Sequence, residues 1–316
     1  MAAPAMLESL RPKPFRGDVI AAGVVVLVTL IWLLEARFGD DWATGVHLLY
    51  AAPAALFTAA IAVLAPMERE EPRAYQSVLY VASFALGLAA LANLADALGA
   101  DGIGGAGART WTFALLAALS LWFATQRNSA VSTLLGALAA GLALLSFVQW
   151  AFDAHGAGTT RWVLLAEMVG FTIGALGQRD RHPRHGVALV DAAGVAVVLI
   201  GLTLVAEAFG AILVAGLTDG GDPASAAWGW QLLLLGAGFG LIAYSGVDRE
   251  RGPAWLGLLS LAIFVLLAAD GGFVGWPLVL LVVAAALLAV GLRPTLPAPP
   301  PPDADVPPAP AEPLWP

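Results

Sequence analysis

The sequence predicts an all-α integral membrane protein, a helical bundle of about ten transmembrane helices with both termini on the cytoplasmic side. Three observations predict it. Hydrophobic residues make up 59% of the 316-residue chain and charged residues only 12%, where soluble domains run at roughly 25% charged. Mean hydropathy is +0.82, which leaves too little polar surface to face water around a core of this size. Apolar stretches long enough to cross a bilayer recur along the chain, and the short segments between them alternate in charge.

The apolar runs lie at about 19–36, 45–65, 75–96, 109–126, 130–151, 161–178, 186–206, 227–247, 254–270 and 273–292. A helix needs about 20 apolar residues to cross the ~30 Å hydrocarbon layer. These runs are too long for strands and lack the alternation of a lipid-facing barrel. Within hydrocarbon, only a helix satisfies its own backbone in one segment. Residues 1–18 then form a cytoplasmic tail, 19–292 the polytopic domain and 293–316 a second cytoplasmic tail. The last tail carries 11 prolines in 24 residues, so it is expected to be extended polyproline II or disordered. The first run follows eighteen mostly polar residues and leads into Glu35-Ala36-Arg37-Phe38 rather than a small-x-small cleavage site. It reads as a retained span and not a cleaved signal. The apolar stretch Gly186 to Leu217 is 32 residues long, too long for one untilted span. It reads as a helix to about Ala206, then an interfacial or re-entrant extension from Glu207. Asp270-Gly271-Gly272 predicts a tight turn between the last two spans.

Orientation comes from the basic residues. Twelve of the 15 fall in the N-terminal tail, in alternate loops and after the last run, among them Arg73, Arg127, Arg181 and Arg249. The opposite side holds Arg37, Arg109 and Arg161, with Asp40, Asp41, Asp101, Asp153, Asp219 and Asp222. Lys and Arg resist translocation, so the basic side is cytoplasmic. Adding or dropping one span would destroy this alternation for every later loop. Trp42, Trp111, Trp150, Trp162, Trp228, Trp230 and Trp276 fall at outer ends, where an amphipathic indole prefers to sit. Basic residues are 14 Arg and one Lys, with abundant Ala and Gly; this resembles the usage of GC-rich bacterial genomes, and the expected location is a bacterial plasma membrane. There is no Cys, which excludes disulfides and thiolate metal sites.

Ionisable groups inside the bilayer are costly and mark functional sites. Glu167 lies near the middle of the sixth run, and Asp191 lies about five residues inside the seventh. Neither has an evident basic partner within a run. Each must sit in a water-filled cavity or take up a proton, which suits proton relay or cation binding. The alternative is a protonated acid that hydrogen-bonds a neighbouring helix and acts as packing glue. Glu35, His47, Asn93, Asp96, Gln149, Glu207 and Gln231 sit toward outer ends and would line an outward-facing vestibule if their helices converge. Gly102, Gly104 and Gly107 match G-x-G-x-x-G in spacing, but a dinucleotide site needs a strand before and a helix after; they read as a flexible outer loop. His182-Pro183-Arg184-His185 reads as a basic, non-helical loop that meets anionic lipid headgroups. Gly170-xxx-Gly174 and Gly236-xxx-Gly240 predict close helix packing.

No nucleophile elbow, H-E-x-x-H or phosphate loop is present, so no enzyme activity and no cofactor or metal is expected. No basic domain points to nucleic acid. Tyr244-Ser245, Asp248-Arg249 and Gly252-Pro253-Ala254-Trp255-Leu256-Gly257 resemble a loop-and-helix feature of uncharacterised multi-pass membrane proteins of high-GC Gram-positive bacteria. That resemblance covers about 15 residues and implies no activity. The span count is also similar to that of drug/metabolite exporters. Ten spans divide into five plus five with opposite entry, the layout of inverted-repeat transporters. Two functions stay open: a small-solute or proton-coupled transporter using Glu167 and Asp191, and a scaffold or accessory subunit acting through cytoplasmic loops and the Pro-rich tail.

Overall fold

A computed structural model describes residues 16–39, 41–67, 72–100, 102–217 and 227–269, with 280–282 and Ala284. Side chains at 211–217, 247, 248 and 269 are outside the description. Nine helices and no strand occur among the described residues. They are α1 (Gly17–Phe38), α2 (Thr44–Leu64), α3 (Ala74–Ala97), α4 (Ala106–Arg127), α5 (Ala130–Phe152), α6 (Ala157–Gln178), α7 (Pro183–Leu217), α8 (Trp228–Asp248) and α9 (Arg251–Ala269). Residues 16–269 belong to one compact unit. In the second unit, which begins at Gly272, 280–282 and Ala284 are helical. Residues 1–15, the second tail, nearly all of the tenth run, and the Asp270-Gly271-Gly272 turn lie outside the described residues.

The helices stop where the sequence supplies a stop. Asn128, Asp153 and Arg249 each take a left-handed conformation at a helix C-cap, with φ of 48°, 50° and 58°. That geometry breaks the helical ladder. Ser129 starts α5 by accepting a hydrogen bond from the Ser132 backbone N–H at 3.2 Å, as N-cap serines do. Gly156 precedes α6 at φ 126°, which a side chain would strain. Gly102 and Gly105 belong to the α3–α4 turn, and Gly107 lies in the first turn of α4. A helix, not a strand, precedes these glycines, so the βαβ setting of a dinucleotide site is missing.

Six of the helices, α1, α2, α3, α5, α7 and α9, are long and apolar enough to cross a membrane. The other three are of similar length: α4 carries Arg109 and Arg127 and α6 carries Arg161 and Glu167, which make both less apolar, and α8 carries Gln231 and five glycines. Fully enclosed residues include the alanines Ala51, Ala62, Ala139 and Ala192 together with Leu79, Leu86, Ile200 and Leu234, while Leu49, Leu56 and Phe57 are 75%, 72% and 50% exposed. Alanine at many helix contacts and large apolar side chains left on the outside fit helices packing in lipid. The chain is a multi-pass membrane protein.

Packing repeats with a period of two helices. α2 packs extensively on α3, α4 on α5, α6 on α7, and α8 on α9, giving four hairpins. The odd-numbered helices α1, α3, α5, α7 and α9 contact one another in sequence and form a central row. Each even-numbered helix leans only lightly on the odd helix before it. A five-helix period would make α1–α2 equivalent to α6–α7, yet the first pair barely touches and the second is among the most extensive.

Three expectations are corrected. α7 is one continuous helix of 35 residues through Glu207, not a helix ending near Ala206. At 1.5 Å per residue it is about 52 Å long, well over the ~30 Å hydrocarbon layer. The His182-Pro183-Arg184-His185 segment is largely helical, since α7 begins at Pro183. Proline is tolerated at a first helical position, where its missing N–H has no intrahelical partner to lose. Of the paired glycines only Gly174 faces a neighbour closely, where a Cβ would lie 3.3 Å from a Leu189 methyl on α7; a Cβ at Gly170, Gly236 or Gly240 would meet nothing within 4 Å. The tight crossing instead joins Gly238 of α8 to Gly257 of α9, where a Cβ on Gly257 would lie 2.7 Å from the Gly238 carbonyl oxygen. Backbone cannot yield there as a side chain would. Gly257→Ala should therefore lower the detergent unfolding midpoint, by about 1–3 kcal/mol of overpacking. Gly236→Ala should hold or raise it, since helix propensity favours Ala by about 0.5–1 kcal/mol. Equal midpoints would contradict the assigned crossing.

Candidate functional site

Glu167 sits 10 residues into the 22-residue helix α6, about 15 Å along a rod of about 33 Å. It is 8% exposed. The carboxylate points at α5 and rests on Gly141, where a Cβ would lie 2.7 Å from Oε2. Its Oε1 is buried without a hydrogen-bond partner. Glu167 lines a cavity of about 540 Å³ between α5, α6 and α7, walled by Leu138, Leu142, Leu164, Phe171, Ala196 and Leu199. Two hydroxyls share the lining, but each serves its own helix: Thr160 donates to the Gly156 carbonyl at 3.1 Å and Thr203 to that of Ile200 at 2.7 Å. Glu167 is thus the single ionisable side chain on an otherwise apolar wall. A carboxyl buried without a hydrogen-bond partner is costly in its charged form, so chemically it can take up a proton or accept a cationic group beside it.

Asp191 occupies a different place. Its carboxylate rests on Gly252 in the first turn of α9, where a Cβ would lie 2.6 Å from Oδ1, and Oδ1 has no hydrogen-bond partner. Asp191 does not line the Glu167 cavity. Both acids therefore share a local design, a carboxyl seated on a glycine of another helix, at separate positions.

The outer polar residues divide among five contacts. Glu35, His47 and Asn93 meet where α1, α2 and α3 come together. Asn93 Nδ2 donates to Glu35 Oε1 at 2.7 Å, and His47 Nδ1 lies 3.0 Å from Glu35 Oε2. Tyr50 Oη lies 2.5 Å from the same His47 nitrogen. His47 is 3% exposed and its Nε2 has no hydrogen-bond partner. Thr44 hydrogen-bonds Asp96 beside this cluster. Farther along, Arg109 Nη2 donates to Gln149 Oε1 at 3.3 Å. Arg161 forms a two-point ion pair with Glu207 at 2.5 and 3.1 Å. Gln231 Nε2 donates to the Leu267 carbonyl at 3.3 Å. Each of these three contacts ties one helix to its hairpin partner.

Sequence reasoning missed Tyr50, although its i, i+3 spacing from His47 places both on one helix face. It also missed the pairing of Arg161 with Glu207, which the scarcity of basic residues on that side makes legible afterwards. At the opposite end, His185 hydrogen-bonds Thr133, and its Nε2 lies 2.9 Å from Asn128 Oδ1. It staples α7 to the α4–α5 turn. Among the described residues, no group of three or more His, Asp or Glu is placed to hold a metal ion. Comparison of the chain with family models, curated proteins and solved structures gives no match.

Gly141→Ala tests the seat under Glu167. The methyl would displace the end of a flexible side chain, so the fold should hold, with a gain of up to about 1 kcal/mol from helix propensity. Labelling of Glu167 by a membrane-soluble carbodiimide, read by peptide mass, should change severalfold. Unchanged labelling would contradict the seat.

Proposed function

We propose that the chain is a membrane transporter for a small solute with an apolar body and a cationic or proton-donating group, with Glu167 as the group that binds it or exchanges a proton for it. The observation that carries this reading is the cavity of about 540 Å³ reaching a buried carboxylate, with no hydrogen-bond partner at Oε1, near the middle of α6. A packing role for Glu167 would call for a hydrogen-bond partner on the neighbouring helix. Here Oε1 has none, and Oε2 faces a glycine. No other titratable group lines the cavity from α5 or α7. The nearest basic side chain along α6, Arg161, is committed to Glu207.

In this proposal α4, α6 and α8 also cross the bilayer, and run 273–292 completes ten spans, with both ends cytoplasmic in a bacterial plasma membrane. Support comes from which helix ends meet. Thr44 with Asp96, Arg109 with Gln149, and Arg161 with Glu207 gather at the acidic end. Arg127 with the Ala62 carbonyl and His185 with Asn128 gather at the basic end. The contacts sort the ends as the charges do.

In proteoliposomes assayed with small amphipathic cations, Glu167→Gln should lower flux at least tenfold and remove its pH dependence. Deletion of 294–316 should leave flux intact. Wild-type behaviour of the Gln variant across the substrate set would remove the coupling role, and loss of partner proteins on deletion of the tail would favour the scaffold.

A further inference from the structure

Successive even-numbered helices make no extensive contact with each other, and two of the intervals between them hold open space. Between α6 and α8 a groove of about 560 Å³ runs over α7. Its polar groups are engaged within the fold: Thr172 donates to the Met168 carbonyl at 2.8 Å, and Arg179 and Tyr244 each have a partner. Between α2 and α4 a cavity of about 340 Å³ lies over α3, with Ser132 and Leu135 of α5 at its basic end. Its polar groups are not all engaged, and it is separate from Glu167.

Four aromatic rings line the α2–α4 cavity: Tyr80 and Phe84 on α3, Trp122 and Phe123 on α4. The Phe123 ring centroid lies 5.4 Å from that of Tyr80 and 5.2 Å from that of Trp122. Rings tilted and edge-on to one another offer a planar guest both faces and edges. No Asp, Glu, Lys, Arg or His lines the cavity. Arg127, one turn beyond Phe123, donates to the Ala62 carbonyl at 3.4 Å. A charged guest would lose its water and gain no counter-charge. The four hydroxyls of the lining divide in two. Ser83 donates to the Leu79 carbonyl at 2.7 Å, and Ser132 to Ser129 Oγ at 3.0 Å. Tyr80 and Ser120 are only 3% and 7% exposed. The Tyr80 hydroxyl is enclosed with no hydrogen-bond partner, and Ser120 makes no hydrogen bond among the described residues. A buried hydroxyl is costly until an acceptor meets it. A carbonyl oxygen, with two lone pairs, is such an acceptor; a plain hydrocarbon chain would leave both hydroxyls unpaired. α2, α3 and α5 are among the helices apolar enough to cross a membrane, and Leu56 and Leu119 on the rims are exposed. The open side therefore meets hydrocarbon, and a guest arrives from the membrane. The volume falls at the low end of the about 300–1,000 Å³ of small-molecule sites.

We infer that the α2–α4 cavity is a binding site for a neutral, membrane-dissolved ring compound bearing a carbonyl, its ring among the four aromatic side chains and its carbonyl oxygen accepting from the Tyr80 and Ser120 hydroxyls. The site is independent of transport through the Glu167 cavity.

The probes are menadione, a fused-ring quinone, and methylnaphthalene, which has the same rings without a carbonyl. The chain has no Cys, so menadione meets no thiol to alkylate. Saturable binding to the full chain in nanodiscs is read by equilibrium dialysis against empty nanodiscs, and the unfolding midpoint by circular dichroism. Menadione should bind at one per chain and at least tenfold tighter than methylnaphthalene. Tyr80→Phe combined with Ser120→Ala should remove that preference while the midpoint holds or rises, because two unpaired hydroxyls are gone. Ala60→Phe grows into the cavity from an exposed wall position and should cut menadione binding at least tenfold. Gly240→Leu, which fills the α6–α8 groove instead, should not. If Ala60→Phe does not fold, Leu119→Trp takes its place. Equal binding of the two probes would overturn the proposal, as would a preference that survives loss of both hydroxyls. A lowered midpoint in the double variant would show the hydroxyls bonded within the fold, and overturns it. Menadione binding lost in Gly240→Leu would place the guest in the other groove, and a dimer broken by Ala60→Phe would show a second copy as the occupant; either outcome overturns it. Flux through the Glu167 cavity is a separate readout, so failure here leaves the transport proposal standing.

Discussion

In hydrocarbon an apolar side chain gains nothing by leaving its solvent, so helices hold together only as well as their backbones approach. That constraint explains where each residue type sits. Alanine fills the contacts, with Ala51, Ala62, Ala139 and Ala192 fully enclosed, and Gly238 meets Gly257 backbone to backbone. Many large side chains turn outward, as Leu56, Val26 and Trp255 do, while Leu79, Leu86 and Leu234 are enclosed between helices. Polar tethers supplement the close contacts at helix ends: Glu35 with Asn93 on one face, His185 with Asn128 on the other.

The same constraint creates the openings. Where a glycine faces another helix closely, it makes room for a neighbour's side chain, as Gly141 does for Glu167 and Gly252 for Asp191. Where a glycine faces no helix, as at Gly236 and Gly240, it leaves a hollow in the surface. Glycine in α8 therefore performs two opposite tasks within five residues: Gly238 brings α9 close, while its neighbours on the other face keep α6 at a distance.

Nine elements were legible as apolar runs because bilayer thickness dictates their length. Their observed limits fall within about four residues of the predicted ones except in α7, which runs to Leu217. There the sequence predicts an end near Ala206 because the 32-residue apolar stretch is too long for one untilted span. Arg161 stands opposite Glu207 and satisfies it within the helix, a relation that only tertiary contact reveals. The glycine pairs were misread for a related reason: spacing says which residues share a face, not what that face meets. Glu167 and Asp191 were visible as acids inside apolar runs, whereas their glycine seats on α5 and α9 lie 26 and 61 positions away along the chain and carry no local signal. The outer residues were grouped by depth alone, and depth could not tell that Glu35, His47 and Asn93 would converge while Gln149, Glu207 and Gln231 would each bind within a hairpin.

The two-helix packing period bears on how such a chain is assembled. Each even-numbered helix finds its principal partner in the helix made immediately after it, so a translating ribosome delivers the mate before any distant contact is needed. Closing these pairs requires loops as short as Asn128-Ser129 and Arg249-Glu250, for which the entropy of closure is small. Successive pairs then add through the odd-numbered helix alone, as links join a growing chain, and no late-made helix must thread between earlier ones.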